Sequence, residues 1–120
     1  MLPRLSAPRR LQPDRHVSAT ERGDNHFVCV ATLAERDVLR YTPAGIPMVS
    51  ATLTHTSEQL EAGISRQVGF ELRAIAAGTI ADRLERAQMG AMFRFIGFIA
   101  RKNRNSKSLV FHLTDFEQIS

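Results

Sequence analysis

Five segments of the chain have the residue pattern of β-strands, and one short segment with helical spacing separates the third from the fourth. Apolar and β-branched residues either fill these segments or alternate with polar residues along them, as in strands with two or one buried faces. The five segments are residues 26–34, 49–54, 66–75, 92–100 and 109–119. This order of elements restricts the chain to a small all-β fold with a single helix.

Two of the strand-like segments, residues 26–34 and 92–100, are apolar with little alternation. Both faces of these strands are therefore expected to be covered. The first segment continues with alternating polarity through residues 35–41, where it reaches a turn that contains proline and glycine. Residues 57–63 are mostly polar and predict an exposed loop between the second and third strands.

The helical segment is short. Thr79 is a candidate N-cap, Ile80, Leu84 and Ala87 share one helical face, and Gly90 ends the helix. Five strands with a helix between the third and the fourth are the plan of the OB-fold, a Greek-key barrel. This fold binds oligonucleotides on its second and third strands, with the loops after the first and fourth strands. We therefore expect an all-β, five-stranded OB-fold.

The charge of the chain separates a tail from a domain. The 120 residues carry a formal net charge of +4 and are enough for one domain. Residues 1–24 hold five arginines, three acidic residues and three prolines, with no strand or helix period. This tail is expected to be disordered and partly an artefact of an upstream start; the alternative is a basic arm that contacts DNA. The OB-fold domain is expected over residues 25–120.

The basic excess of the domain is concentrated in one loop. Residues 101–108 carry four positive charges and no acidic residue, whereas the rest of the domain has a net charge of −2. This segment follows the fourth strand, and Arg40 and Tyr41 lie in the loop after the first. Lysine and arginine at these positions can neutralise phosphates and release counterions. The alternative is a solvated hairpin loop without a binding role.

Few aromatic side chains are available to stack on bases, because Phe, Tyr and Trp make up 7% of the chain and Trp is absent. Most phenylalanines are expected in the core. Phe98 beside the basic loop, Phe70 on the third strand and Tyr41 in the first loop are the stacking candidates, so electrostatics should outweigh stacking. The candidate residues for binding single-stranded DNA are Arg40, Tyr41, Arg66, Phe70, Phe98, Arg101, Lys102, Arg104 and Lys107.

No catalytic or metal site is predicted. The four histidines have no metal-ligand spacing, and His55 at a strand end is expected to bond a backbone group rather than a phosphate. Cys29 lies within a strand without a nearby base and is expected to be an inert buried thiol. No apolar run approaches the length of a membrane span. We expect a cytoplasmic protein that is not an enzyme and needs no cofactor.

Four short motifs resemble those of the PriB family, the bacterial primosomal replication protein N. They are RYTPAGIP at residues 40–47, LTH at 53–55, GFIA at 97–100 followed by basic residues, and FEQI at 116–119. The resemblance covers residues 26–119. It implies a homodimeric OB-fold protein, related to single-stranded DNA-binding proteins. Such a protein binds single-stranded DNA and bridges the restart helicase PriA to other primosome proteins at stalled forks.

Two features depart from this family. Some relatives have a tryptophan in the third strand, where this chain has Gly69 and Phe70, and the basic loop looks shorter than in enteric relatives. Together with the few aromatic residues, these departures leave an alternative open. In that alternative the protein is an interaction adaptor whose basic loop mainly binds an acidic protein surface, and DNA contact is incidental.

Overall fold

Six strands and one short helix make up the computed structural model, which describes residues 23–119 of the chain. In chain order they are β1 (Phe27–Arg36), β2 (Arg40–Tyr41), β3 (Pro47–Glu61), β4 (Ile64–Ala77), α1 (Thr79–Glu85), β5 (Met92–Arg101) and β6 (Leu109–Gln118). The short strand β2 pairs only with the start of β3. The five long strands therefore correspond to the five predicted ones, whereas residues 1–22 of the predicted tail lie outside the described residues.

The long strands form a closed barrel. Hydrogen bonding joins them in the order β1, β5, β6, β4 and β3, and β3 pairs back to β1. All pairings are antiparallel except that of β4 with β6, and α1 connects β4 to β5. The predicted OB-fold, with its helix between the third and fourth long strands, is confirmed.

Side chains from the strands and from the helix at one end form the core of the barrel. Alternate residues of the strands point inward, as the two-residue period of a strand requires. Leu84 of α1 is fully buried and joins this core, so the helix closes one end of the barrel. The largest fully buried side chains are Phe95, Phe111, Leu33, Leu53, Leu84 and Val49.

The helix begins one residue earlier than it would if Thr79 were the N-cap. Gly78 is the N-cap, with φ of 78°, and Thr79 is already the first helical residue. A glycine adopts this left-handed backbone without the steric cost that a threonine would incur. At the other end, the guanidinium of Arg36 donates hydrogen bonds of 3.0 and 2.6 Å to the carbonyl oxygens of Leu84 and Ala87. The prediction of Thr79 as the cap was wrong.

Residues 57–63 are not a loop, which corrects the prediction for this segment. Strand β3 continues to Glu61 and β4 begins at Ile64, with Ala62 and Gly63 at positive φ between them. The polar residues are compatible with strands here because β3 has left β1 and both faces are exposed. We call residues 55–70 the hairpin arm, since within them β3 and β4 pair only with each other.

The two apolar strands bury only one face each within this chain. Cys29, Ala31 and Leu33 of β1 are buried, but Val28 between them is 45% exposed. In β5, Met92 is similarly exposed. The expectation that both faces are covered is therefore wrong for the single chain. Continuous apolar sequence looks the same whether the second face meets the core or remains uncovered.

The first strand also ends earlier than its alternating pattern suggests. Its pairing with β3 shifts register between Leu33 and Glu35, and β1 ends at Arg36. Residues 37–39 then separate it from β2. A bulge of this kind bends a strand and increases its local twist. Arg40 and Tyr41 are thereby carried to the start of β3 as a separate short strand.

Gly97 of β5 lies close against the backbone of β6. The ladder between these strands shifts register between Ile96 and Gly97. A Cβ atom on Gly97 would overlap the carbonyl oxygen of His112 and lie 2.9 Å from its carbonyl carbon. Only glycine fits this backbone approach, which sets the position of Phe98 opposite His112.

We expect Gly97→Ala to lower the free energy of unfolding by about 3 kcal/mol, because a backbone atom must move to admit the methyl group. Gly69→Ala is the matched control, since a Cβ there meets nothing closer than 3.7 Å. Thermal and urea unfolding of the two variants provide the measurement. Equal stability of Gly97→Ala and the wild type would contradict the close approach.

Candidate nucleic-acid interface

A groove of about 440 Å³ runs across the outer face of the barrel between β2, β3, β4, β6 and the loop after β5. Its three cationic side chains come from three different elements: Arg40 from β2, Arg73 from β4 and Lys102 from the loop. We call it the basic groove. Its lining residues are Arg40, Ser50, Arg73, Ala74, Ile75, Lys102, Asn103, Ser108, Leu109, Val110 and His112.

The floor of the basic groove is a row of side chains that crosses four strands. Ser50 of β3 pairs with Ile75 of β4, Ile75 with His112 of β6, and His112 with Phe98 of β5. Paired residues project from the same face of a sheet. Phe111, which precedes His112 in β6, is fully buried, so His112 must point outward.

The rings of Phe98 and His112 are stacked at the end of this row. Their centroids are 4.9 Å apart and their planes differ by 2°. Phe98 is 39% exposed, while His112 is half-buried and lines the basic groove. The pair therefore offers an ordered, flat aromatic surface next to the groove cations.

Arg73 is held in place by two hydrogen bonds. Its guanidinium donates to the hydroxyl of Thr52 at 2.8 Å and to the carboxylate of Asp37 at 3.1 Å. Asp37 offsets much of the charge of Arg73 within this exposed pair. No carboxylate among residues 23–119 forms an ion pair with Arg40 or Lys102. These two side chains supply the uncompensated positive charge of the groove.

The basic loop is an ordered turn rather than an open coil. The amide of Lys102 donates to the carbonyl of Ser108, and the amide of Asn105 donates to the side-chain oxygen of Asn103, both at 2.9 Å. A third bond runs from the amide of Ser108 to the hydroxyl of Ser106. These bonds direct Lys102 toward the groove. The other cations of the loop are exposed outside the groove: Arg101, Arg104 and Lys107.

The remaining predicted residues lie apart from the basic groove. Tyr41 is 66% exposed beside Arg40 but does not line the groove. Arg66 is in the hairpin arm, where its guanidinium is 2.7 Å from the carboxylate of Glu61. Phe70 stacks on His55 with ring centroids 4.8 Å apart. Strand alternation puts Phe70 on the same face of β4 as the buried residues of that strand, and the groove is on the other face.

Sequence reasoning missed Arg73 and His112. Strand alternation could have found His112, because its neighbours Phe111 and Leu113 are plainly apolar. Phe98 was a predicted stacking residue, but its contact with His112 could not be found this way, since their pairing depends on the register shift at Gly97. Arg73 is an isolated charge in the sequence, and its role depends on the barrel bringing β4 beside β2 and the basic loop.

The prediction that His55 bonds a backbone group is confirmed, because its Nδ1 donates to the carbonyl of Val30 at 2.7 Å. Cys29 is buried, and burial raises the pKa of its thiol, which disfavours the reactive thiolate. Within residues 23–119, no group of three or more His, Cys, Asp or Glu side chains could hold a metal ion. Over the same residues, no helix has the length and apolarity that crossing a bilayer requires.

A family model described as "Another single-strand binding protein family" matches residues 25–115. A single-stranded DNA-binding protein from Thermus aquaticus superposes with a TM-score of 0.64 over 80% of this chain and 50% of that one. At 22% identity, that similarity supports the fold alone. Fold and family model together define the class as OB-fold single-strand binding proteins. The expectation that the chain is not an enzyme agrees with this class.

More similar relatives narrow the class. The replication restart protein PriB of Nitrosomonas europaea is 41% identical over 76% of this chain and 84% of the relative, and that of Neisseria meningitidis serogroup A is 39% identical over 70% and 84%. The structure of PriB from Ralstonia solanacearum is 43% identical, with a TM-score of 0.75 over 80% of this chain and 98% of that one. The chain belongs to the PriB family.

If the Phe98–His112 pair contacts a base, Phe98→Ala should weaken binding of a short oligo-dT by roughly 5- to 30-fold, because base stacking contributes about 1–2 kcal/mol. The dependence of affinity on salt should remain unchanged, since no charge is removed. Phe70→Ala is the control, because that ring faces away from the groove, and it should bind like the wild type. Fluorescence anisotropy measures the oligo-dT affinity of all three proteins. A larger loss of affinity in Phe70→Ala than in Phe98→Ala would contradict the assignment.

Proposed function

We propose that this protein binds single-stranded DNA in the basic groove and acts in replication restart, in the cytoplasm, as a bridge between DNA and the helicase PriA. The observation that carries the proposal is the convergence of Arg40, Arg73 and Lys102 beside the Phe98–His112 pair. The family membership supports it independently, because the relatives are replication restart proteins.

Single-stranded DNA presents charged phosphates and flat bases, and the groove has side chains that can contact each of them. Arg40 and Lys102 neutralise phosphates, and the release of condensed counterions drives the association. Phe98 and His112 provide an apolar ring surface that accepts any base. The neighbouring cations Arg101, Arg104 and Lys107 extend the positive field along the loop and attract the strand before it docks. Binding of this kind is strong at low salt and independent of sequence.

The hairpin arm supports the bridging role. Leu60 is 76% exposed and Ile64 is 67% exposed at the tip of the arm, next to the Glu61–Arg66 ion pair. Large aliphatic side chains on a protruding element are suited to a pocket on another protein, and they add little to phosphate binding. The adaptor alternative rests on this same observation. We assign protein contact to the arm and DNA contact to the groove.

A homodimer is part of the proposal. Strand β1 has β5 along one edge, and along its other edge it pairs with β3 only from Thr32 to Arg36. On that second edge, residues 27–31 have no neighbouring strand among the described residues. An open strand edge is a template for pairing with another chain. Val28, exposed beside this edge, would become covered in such a pair. Sedimentation of the full chain measures the dimer directly.

Removing the two uncompensated groove charges should weaken DNA binding in a salt-dependent way. For the double variant Arg40→Ala/Lys102→Ala, we expect roughly tenfold weaker binding of oligo-dT at low salt. The slope of log affinity against log salt should fall by about 0.7 for each phosphate that the protein no longer neutralises. Anisotropy titrations at several salt concentrations provide the measurement.

The matched control is Arg86→Ala/Arg94→Ala, which removes the same charge at positions that do not line the groove. Among the described residues, this control breaks only the exposed Arg94–Glu117 ion pair, so stability should change little. If the two double variants weaken binding equally, the affinity reflects the total charge of the protein. The groove assignment would then be wrong.

Separate titrations with DNA and with PriA distinguish the bridge from the adaptor. At about 150 mM salt, near physiological screening, the bridge should bind both partners. The double substitution Leu60→Ser/Ile64→Ser should weaken PriA binding and leave oligo-dT binding unchanged. Arg40→Ala/Lys102→Ala should weaken DNA binding more than PriA binding. Tight PriA binding that depends on the groove cations, with negligible DNA binding, would favour the adaptor alone.

A further inference from the structure

The open edge of β1 is blocked at one point by a side chain of β3. Beyond the last β1–β3 pair, Thr32 with Thr54, the two strands separate. His55 is the next residue of β3, and its Nδ1 donates to the carbonyl of Val30 at 2.7 Å. An imidazole ring therefore occupies the edge of β1 at Val30, where a further strand would otherwise pair.

His55 is fixed in this position from several sides. The hydroxyl of Ser57 lies 2.7 Å from its Nε2 and accepts a hydrogen bond from Gln59. Because Nδ1 carries the hydrogen that the carbonyl of Val30 accepts, Ser57 donates to Nε2 in the neutral ring. Phe70 covers one face of the imidazole, and the sulfur of Cys29 lies 3.3 Å from Nδ1. A ring held this way is not displaced easily by a second strand.

We propose that His55 sets the register in which two copies of this chain pair their β1 strands. Pairing stops before Val30, and the two-fold axis passes through Phe27. The proposal rests on the homodimer proposed above and specifies which residues of the two copies lie opposite each other. Without the ring at Val30, the open edge would be longer and would admit other registers.

Backbone alternation gives this register. The carbonyl of Val30 points to the open edge, so the amide and carbonyl groups of Val28 and His26 point there as well. At the other end the regular strand stops, because Asn25 bonds the amide and the carbonyl of Ile99 in β5 through its side chain and not through its backbone. With the axis at Phe27, Val28 of one copy pairs with His26 of the other, twice by symmetry. All four hydrogen bonds then avoid Val30.

Cysteine cross-linking of the full chain tests the register, in a Cys29→Ala background to remove the native thiol. Residues directly opposite in such a ladder have Cα atoms about 5.5 Å apart, which a disulfide can bridge. A mixture of His26→Cys and Val28→Cys chains should give about tenfold more cross-linked dimer than either variant alone. Efficient cross-linking of Val28→Cys alone would put the axis at residue 28, and that of His26→Cys alone at residue 26. Either result overturns the proposal.

The role of His55 is tested by removing its ring. In Val28→Cys/His55→Ala the edge is open through Val30, so Val28→Cys chains should now cross-link with each other. Ser57→Ala is the control, since it removes a bond to His55 but leaves the ring at Val30. Unchanged cross-linking in the His55→Ala variant, with dimer and fold retained, would overturn the proposal. Sedimentation as a monomer at all concentrations would refute the homodimer as well.

Discussion

The parallel pairing of β4 with β6 is the contact on which the rest of this structure depends. It consists of two residue pairs, Ala74 with Phe111 and Ile75 with His112. Without it the β3–β4 hairpin and the β5–β6 hairpin would be the two ends of one open sheet, connected through β1. With it the barrel is closed, and the basic loop after β5 lies beside β2 and β4. The basic groove exists because of this closure.

The pairing of neighbouring strands also explains how a protein with few aromatic residues can present an aromatic surface. The row from Ser50 to Phe98 crosses four strands, so each ring is supported by neighbours on the same face. The close approach of β5 and β6 at Gly97 brings Phe98 onto His112. Gly97, because it has no side chain, therefore allows the packing that holds the rings of Phe98 and His112 together. Backbone packing and the proposed base contact depend on the same feature.

The sequence predicted the strands themselves better than it predicted which residues of different strands contact each other. Alternation and apolar runs located the five long strands, and the local excess of lysine and arginine located the basic loop. Residues 57–63 were misassigned because a two-stranded arm with both faces exposed needs no apolar alternation. The outward faces of β1 and β5 were misassigned because the sequence does not distinguish a core from an uncovered face. Arg73 and the Phe98–His112 pair depend on register, which arises from closure and bulges rather than from local pattern.

Two histidine–phenylalanine stacks have different roles because they lie on opposite faces of the sheet. His55 and Phe70 point to the core side of the hairpin arm, where hydrogen bonds from Ser57 and to Val30 fix the imidazole. Phe98 and His112 point to the groove, next to cations. Gly69 also lies on the groove face of β4, in the stretch where some relatives have tryptophan, and no atom is nearer than 3.7 Å to its Cβ position. This chain thus has no ring on the groove face of the arm at that point, and the aromatic surface lies on the barrel instead, closer to Arg40 and Lys102.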